Sequence, residues 1–543
     1  LIAIMSNEFF TKNRQFVILN SQLSIQSAAV IGIGLGLACS WHNPASAAGI
    51  VGNGTPASCT DTALNNALNG GGNVTFNCGS RPVTVAITST KVISRNTTID
   101  GRNLVTISGS NSRRLFLMQG DIEFTVKNLT LANGYTTDRG GAISKPVYGK
   151  LVVSNSKFNN NVSTSSKEAG GGAIHGGPIG SVSVDRSTFT NNKAGQGGAI
   201  AILNSNLQVT NSSFANNQAV DRGLGSGGGI YIDGAWADFG KISISGSTFT
   251  NNTATSYGGG LFIAIKNNNK ATVDRSRFIG NRVGGGSNGQ GGGIWTTGDK
   301  VLGGHWKINA NNTTMAVTNT TISGNTANTQ GGGIWIAKHP AGITISNTTI
   351  SGNVANTSNG GGLTMGDNSK LNITNSTISD NRVLGQYSLG GGISISSGTA
   401  TIVNTTISHN YASWQGGGIV KTGKVPKGNV VLKNTIIANN VANNGGNKWN
   451  IKQNCFTQMT NGGNNLQFPA RNLRDSKDVD CTVNILTADP KLDGLKNNGG
   501  LTLTRALLAG SAATNRGTGC PTTDQRGVNR RNPCDLGAFE AGF

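Results

Sequence analysis

The sequence predicts an all-β chain folded as a right-handed, single-stranded parallel β-helix of about twelve three-strand coils, capped at both ends. Three observations predict it. A Gly-Gly-[Gly/Ala]-[Ile/Leu] motif recurs ten times, with its apolar residue at Ile143, Ile174, Ile200, Ile230, Leu261, Ile294, Ile334, Leu363, Ile393 and Ile419. Between its copies runs a second motif, apolar-x-x-Asn, from Phe158/Asn161 through Phe189/Asn192 and Ile378/Asn381 to Ile437/Asn440. The third observation is composition: 81 of 543 residues are Gly and only 12% are charged. A helix bundle or coiled coil needs more charge and fewer turn formers. No Gly-X-Y period exists, which excludes collagen, and a 36% hydrophobic share excludes a highly charged disordered chain.

Residues 1–47 read as an export signal. Met5 is the start, Lys12 and Arg14 make a positive head, residues 28–38 are apolar, and Ala45-Ser46-Ala47 offers a cleavage site. Residues 48–125 are expected to hold an N-terminal cap and the first coils. Within them Cys59-Thr60-Asp61 opens a short capped helix over residues 59–70.

Residues 126–450 carry the repeat, and one coil shows its logic. Leu371 and Ile373 alternate with polar neighbours, and Asn375 breaks the run. Ser376 and Ile378 alternate again and Asn381 ends that run. After a variable loop, Gly390-Gly391-Gly392 leads into Ile393 and Ile395. Alternation marks strands with one buried face. Strands this short bury a core only by stacking on equivalent strands one coil away. The repeated Asn is expected to take the left-handed turn conformation and to hydrogen-bond its counterparts in adjacent coils. Gly is expected to allow close backbone approach at another corner. The right hand follows from the known solenoids of this coil length.

Residues 451–543 lose the repeat and are expected to form the C-terminal cap. Cys39 lies in the export signal, and the other six cysteines cluster at the two ends of the chain. An even count in an exported chain suggests disulfides. Of the 15 connectivities that six cysteines allow, the expectation is Cys59–Cys78, Cys455–Cys481 and Cys520–Cys534.

Two resemblances follow from particular residues. Phe189-Thr190-Asn191-Asn192 … Gly197-Gly198-Ala199-Ile200 resembles the repeat of chlamydial polymorphic outer-membrane proteins, over roughly residues 126–440. That resemblance implies a surface β-helix acting in adhesion. Asp489-Pro490-Lys491-Leu492, Asn498-Gly499-Gly500-Leu501 and the closing run from Thr523 through Arg526 to Glu540 resemble the choice-of-anchor Q domains of bacterial surface β-helix proteins. That resemblance implies a secreted or cell-surface location.

The formal charge is +21. Removing Lys12, Arg14 and Glu8 with the signal leaves 21 − 2 + 1 = +20. Such a surface attracts polyanions, so anionic glycans or envelope components are the expected partners. Nucleic acid is not, because basic residues gather only in pairs such as Arg113-Arg114 and Arg530-Arg531. No mature segment is long and apolar enough to span a membrane as a helix.

The residue after each Gly-rich motif should point outward, and in four successive coils it is Tyr231, Phe262, Trp295 and Trp335. Aromatic faces stack on sugar rings, so these four are the candidate ligand-binding residues; the other reading is a stacked ladder covered by long loops such as residues 297–315. The alternative reading is a polysaccharide lyase or glycoside hydrolase on a pectin-lyase-like β-helix, which needs clustered acids. Asp233 and Asp238, flanking Trp236, are the best local pair. Asp185 and Asp274 fall three coils apart, and Asp475, Asp478 and Asp480 crowd beside Cys481. None of these makes a catalytic set, and no metal cluster or cofactor motif is expected. The sequence therefore reads as an exported, non-enzymatic surface or extracellular protein for adhesion or glycan and envelope binding.

Overall fold

A computed structural model describes residues 49–165, 170–221, 223–234, 240–266, 269–285, 288–298, 313–366, 368–423, 430–447 and 451–542. The export signal expected over residues 1–47 lies outside them. The described chain is an all-β parallel solenoid of about 13 turns. A first sheet of 15 strands runs from Gly49–Val51 to Thr460–Asn461, and a second of 15 runs from Val83–Ala86 to Leu486–Thr487. A third of 11 runs from Tyr135–Thr136 to Val441–Ala442, and a fourth of 12 from Lys91–Ile93 to Ile419–Lys421.

Four sheets replace the expected three strands per coil. The additional strand is only two residues long, Arg382–Val383 in the coil read above. Two residues are too few to register as an alternation in the sequence.

The core follows the alternation. Leu371, Ile373, Ile378, Ile393 and Ile395 are all buried; the first four pair in register with an apolar residue of the next coil, as Ile373 does with Ile402, and Ile395 with Met365 of the coil before. The aromatic copies of the second motif stack directly. Phe158, Phe189, Phe214, Phe249 and Phe278 lie 4.5–4.8 Å apart, ring on ring. That spacing is the interstrand distance itself.

The repeated Asn builds a buried ladder. Each Asn from Asn161 to Asn440 donates through Nδ2 to the Oδ1 of the next, at 2.9–3.0 Å. The last rung is Asn454, which lies outside the sequence repeat. The same Oδ1 accepts the backbone N–H of the previous Asn, and Nδ2 also donates to a backbone carbonyl, as Asn281 does to Phe249. Every amide group is thus used, which a fully buried polar column requires.

One expectation about this Asn is corrected. The ladder residue does not take the left-handed conformation; its predecessor does, as at Asn251 (φ 52) and Asp380 (φ 62). The left-handed residue turns the chain so that the following carboxamide can face inward. A second polar column escaped the sequence reading. Ser156, Ser187, Ser212, Ser247, Ser276, Thr320 and Thr348 each bond the carbonyl two residues back and accept the N–H of the preceding coil's equivalent. Its sequence signal was the Ser/Thr that follows each corner residue.

At the Gly-rich corner the coils nearly touch. A Cβ added to Gly292 would lie 2.3 Å from the Gly332 carbonyl oxygen, so any side chain there forces the coils apart. At the N-terminal end a helix spans Asp61–Leu68. Thr60 accepts the Ala63 N–H as its N-cap, and Leu64 is buried in the core. All three expected disulfides are present: Cys59–Cys78, Cys455–Cys481 and Cys520–Cys534.

Residues 451–487 add the last strands to the first and second sheets. The chain then turns back along the outside of the second sheet. Thr349 donates to the Leu503 carbonyl, Thr377 to Gln525 Oε1, and Thr406 accepts the Ala538 N–H. One ion pair ties this strap to the solenoid and another braces it internally. Arg505 Nη2 bridges both carboxylate oxygens of Asp380 at 2.9 Å, and within the strap Arg530 pairs with Glu540 at 3.1 Å, both side chains buried. Among the described residues, no helix is long and apolar enough to cross a membrane.

Candidate functional site

The four aromatic candidates occupy the outward column of the fourth sheet, in the expected register Tyr231, Phe262, Trp295, Trp335. The first three stack with centroids 4.7 and 4.6 Å apart and planes within 11°. Tyr257, which the sequence reading did not single out, leans on Phe262 and Trp295 at 45° or so. Burial raises its phenolic pKa. The column points outward from the strands yet is covered. Tyr231, Phe262 and Trp295 are 5%, 2% and 8% exposed, while Trp335 is half-buried. Trp295 Nε1 donates to Gln290 Oε1 at 3.3 Å; Trp335 Nε1 is buried and has no hydrogen-bond partner among the described residues. Trp335 is the most exposed ring of the four.

The carboxylates stand apart. Asp233 pairs with Lys266 at 2.9 Å; Asp238 and Trp236 lie outside the described residues. Asp185 and Asp274 sit in one column of the first sheet, separated by Thr210 and Ser245. Three interstrand steps put them roughly 14 Å apart, beyond the separation at which two glycosidase carboxyls cooperate. Each is held locally, Asp185 by Arg186 of its own coil and Thr210 of the next, Asp274 by Arg275 of its own coil and Thr318 and Asn319 of the next. Asp475 and Asp478 accept backbone N–H groups and Asp480 pairs with Arg471. No three His, Cys, Asp or Glu among the described residues gather as a metal site.

These coils are similar to the Chlamydia polymorphic membrane protein repeat. The match covers residues 186–202, 211–233, 246–264 and 319–337. Each stretch runs from a first-to-second-sheet corner through the apolar-x-x-Asn motif to the fourth-sheet strand. One match therefore spans most of one turn of the solenoid, and the last three contain Tyr231, Phe262 and Trp335, each two residues before the match ends. The matched stretches are narrower than the expected 126–440, and all lie upstream of the closing segment. No curated protein matches the chain.

Two polar residues, Lys145 and Thr296, interrupt the inward fourth-sheet column, and the two buried bases they involve, Lys145 and His339, were missed from sequence. Lys145 occupies the position of Ile202 and Ile232, with Gly176 leaving room in the coil between. Its ammonium donates to the carbonyls of Tyr148, Gly177 and Ile179 at 2.8–3.1 Å, and burial lowers its pKa to about 8. Further along, Thr296 replaces an Ile in that column and meets His339 Nε2 at 2.9 Å. The signal for both was a polar residue at a position otherwise held by Ile.

Burial lowers the His339 pKa to about 3, so the folded protein keeps it neutral. The unfolded chain regains a pKa near 6.5 and binds the extra proton between these values. Stability is therefore full above pH 6.5 and falls as the pH drops below it, by about 2 kcal/mol at pH 5. His339→Gln should remove that pH dependence. Denaturant unfolding of both proteins at pH 7.5 and pH 5 checks it, and equal slopes would contradict it.

Proposed function

We propose that the protein is an exported, non-enzymatic surface or extracellular β-solenoid that binds glycans or envelope components and serves adhesion. The observation that carries this reading is the similarity of four of its stretches to the Chlamydia polymorphic membrane protein repeat. The separated, locally paired carboxylates support binding rather than turnover. Trp335, half-buried at the end of the aromatic column, is the proposed contact for a sugar ring. The solenoid is right-handed in this reading, and the closing segment is the counterpart of a choice-of-anchor domain.

The test is adhesion itself. Beads coated with the purified chain should retain envelope material from the source cells, and fractionation should recover the native protein outside the cytoplasm. Trp335→Ala should weaken retention at least tenfold while leaving the circular dichroism spectrum unchanged. A folded variant that retains as much as the parent would remove Trp335 from the contact. Recovery of the native protein in the cytoplasm would overturn the reading.

A further inference from the structure

We infer that the flank made by the second and third sheets, upstream of the C-terminal strap, is a docking surface for a linear acidic polysaccharide. This deepens the proposed function and rests on it. The strap covers the second sheet from Thr349 to Ile436. From Thr130 to Thr326 the strands of these two sheets contain no Asp or Glu at all. They do present four exposed cations: Lys157 and Arg277 on the second sheet, Lys193 and Arg282 on the third. None of the four has an ion pair or side-chain hydrogen bond among the described residues.

The contrast with the neighbouring sheets is chemical. On the first and fourth sheets the outward carboxylates Glu123, Asp185, Asp233 and Asp274 each hold a Lys or Arg in an ion pair. Lys270 and Lys370 of the first sheet are also unpaired among the described residues, but they share their sheet with Glu123, Asp185 and Asp274; the second–third strands carry no carboxylate over this stretch, so their field is not cancelled locally. Lys157 and Arg277 are four interstrand steps apart, through Thr188, Ser213 and Thr248. Lys193 and Arg282 are three apart, through Gln218 and Thr253. At the interstrand spacing these are roughly 19 and 14 Å, so the charges are strung along the solenoid rather than gathered in a pocket.

The outward rows between them decide the kind of polyanion. They are mostly hydroxyls and small groups, Thr188, Thr190, Ser213, Ala215, Thr248 and Thr250, with Ile279 beside Arg277 and corner residues such as Asn191 and Asn251 at the border. Peptide recognition by strand addition needs a free sheet edge, and these strands are paired on both sides. Hydroxyls, amides and spaced cations match the hydroxyls and regularly spaced carboxylates of an acidic polysaccharide.

The test measures binding of polygalacturonate to the full chain by co-sedimentation at low and high salt, with dextran and poly-L-glutamate as comparison probes. A variant with Lys157, Lys193, Arg277 and Arg282 changed to Gln is set beside one with the first-sheet lysines Lys150, Lys241, Lys270 and Lys370 changed to Gln. The expected result is salt-sensitive binding of polygalacturonate, weakened at least tenfold by the first variant and less than threefold by the second. Equal losses in the two variants would mean net charge alone, and would overturn the inference. So would poly-L-glutamate binding as tightly as polygalacturonate. Failure of polygalacturonate to bind, with envelope retention intact, overturns this inference and leaves the adhesion reading standing; loss of both overturns both.

Discussion

Replacing Arg530 with Met loosens the C-terminal strap by about 3–5 kcal/mol. The guanidinium is almost wholly enclosed and uses every donor direction. It bonds Glu540 Oε2 at 3.1 Å, the carbonyls of Thr523, Asp535 and Gly537, and Asn375 Oδ1 on the solenoid wall. Glu540 in turn accepts the N–H groups of Asp535 and Arg531. Met fills the space but leaves the Glu540 carboxylate buried without its cation, which is the expensive way to break such a pair. Arg530→Lys keeps the charge, cannot satisfy the planar set of acceptors, and should fall between. Hydrogen exchange of the protected amides at Gly517, Gln525 and Leu536 reads the effect. A loss of 3–5 kcal/mol speeds that exchange more than a hundredfold, and unchanged exchange would contradict the assigned role.

Asn281→Leu should cost about 3–5 kcal/mol in the middle coils, although the two side chains have the same number of heavy atoms and the same branching. The carboxamide makes four bonds: it accepts the Asn252 N–H and Nδ2, and donates to the Phe249 carbonyl and Asn325 Oδ1. Leu ends all four. Asn252 Nδ2 keeps its bond to the Phe214 carbonyl, and Asn325 Oδ1 keeps the Asn281 N–H. The Asn252 backbone N–H is left without a partner in a dry interior, and a buried orphan of that kind costs about 1–3 kcal/mol beyond the lost bonds. A solenoid this long need not unfold in one step, so local exchange in the coils of Asn252 and Asn325 is the proper readout. Exposed Thr272→Ala on the first sheet serves as the control and should change little.

The fold was largely legible because its physics is repeated. Ten copies of two motifs place Ile, Phe and Asn at fixed intervals, and each copy meets its equivalent one coil away. The disulfide pairs and the Thr60 cap lie outside the repeat and followed from short sequence separations instead. What stayed hidden was whatever the repeat does not encode. The third-sheet strands are two residues long, below the length at which alternation can be seen. The strap depends on contacts between residues more than a hundred apart, such as Arg505 with Asp380 and Gln525 with Thr377. Arg530-Arg531 looked like a surface pair, and its first member is enclosed. Periodicity cannot report which of two outward columns will be covered.

The candidate site shows the same division. The register of Tyr231, Phe262, Trp295 and Trp335 could be read from the motif, but their exposure could not. Lys145 was missed because a base is not expected in an Ile column, and His339 because its partner Thr296, not His339 itself, holds the column position. In both cases the side chain is held by local oxygen atoms, from backbone carbonyls or the Thr296 hydroxyl.

The central claim is binding without turnover, and one measurement tests it directly. The purified chain is incubated with insoluble polygalacturonate; the pellet is assayed for protein and the supernatant for reducing ends and unsaturated products. The account predicts protein in the pellet and an intact polymer, whatever the incubation time. Time-dependent release of fragments, abolished by Asp233→Ala, would contradict it.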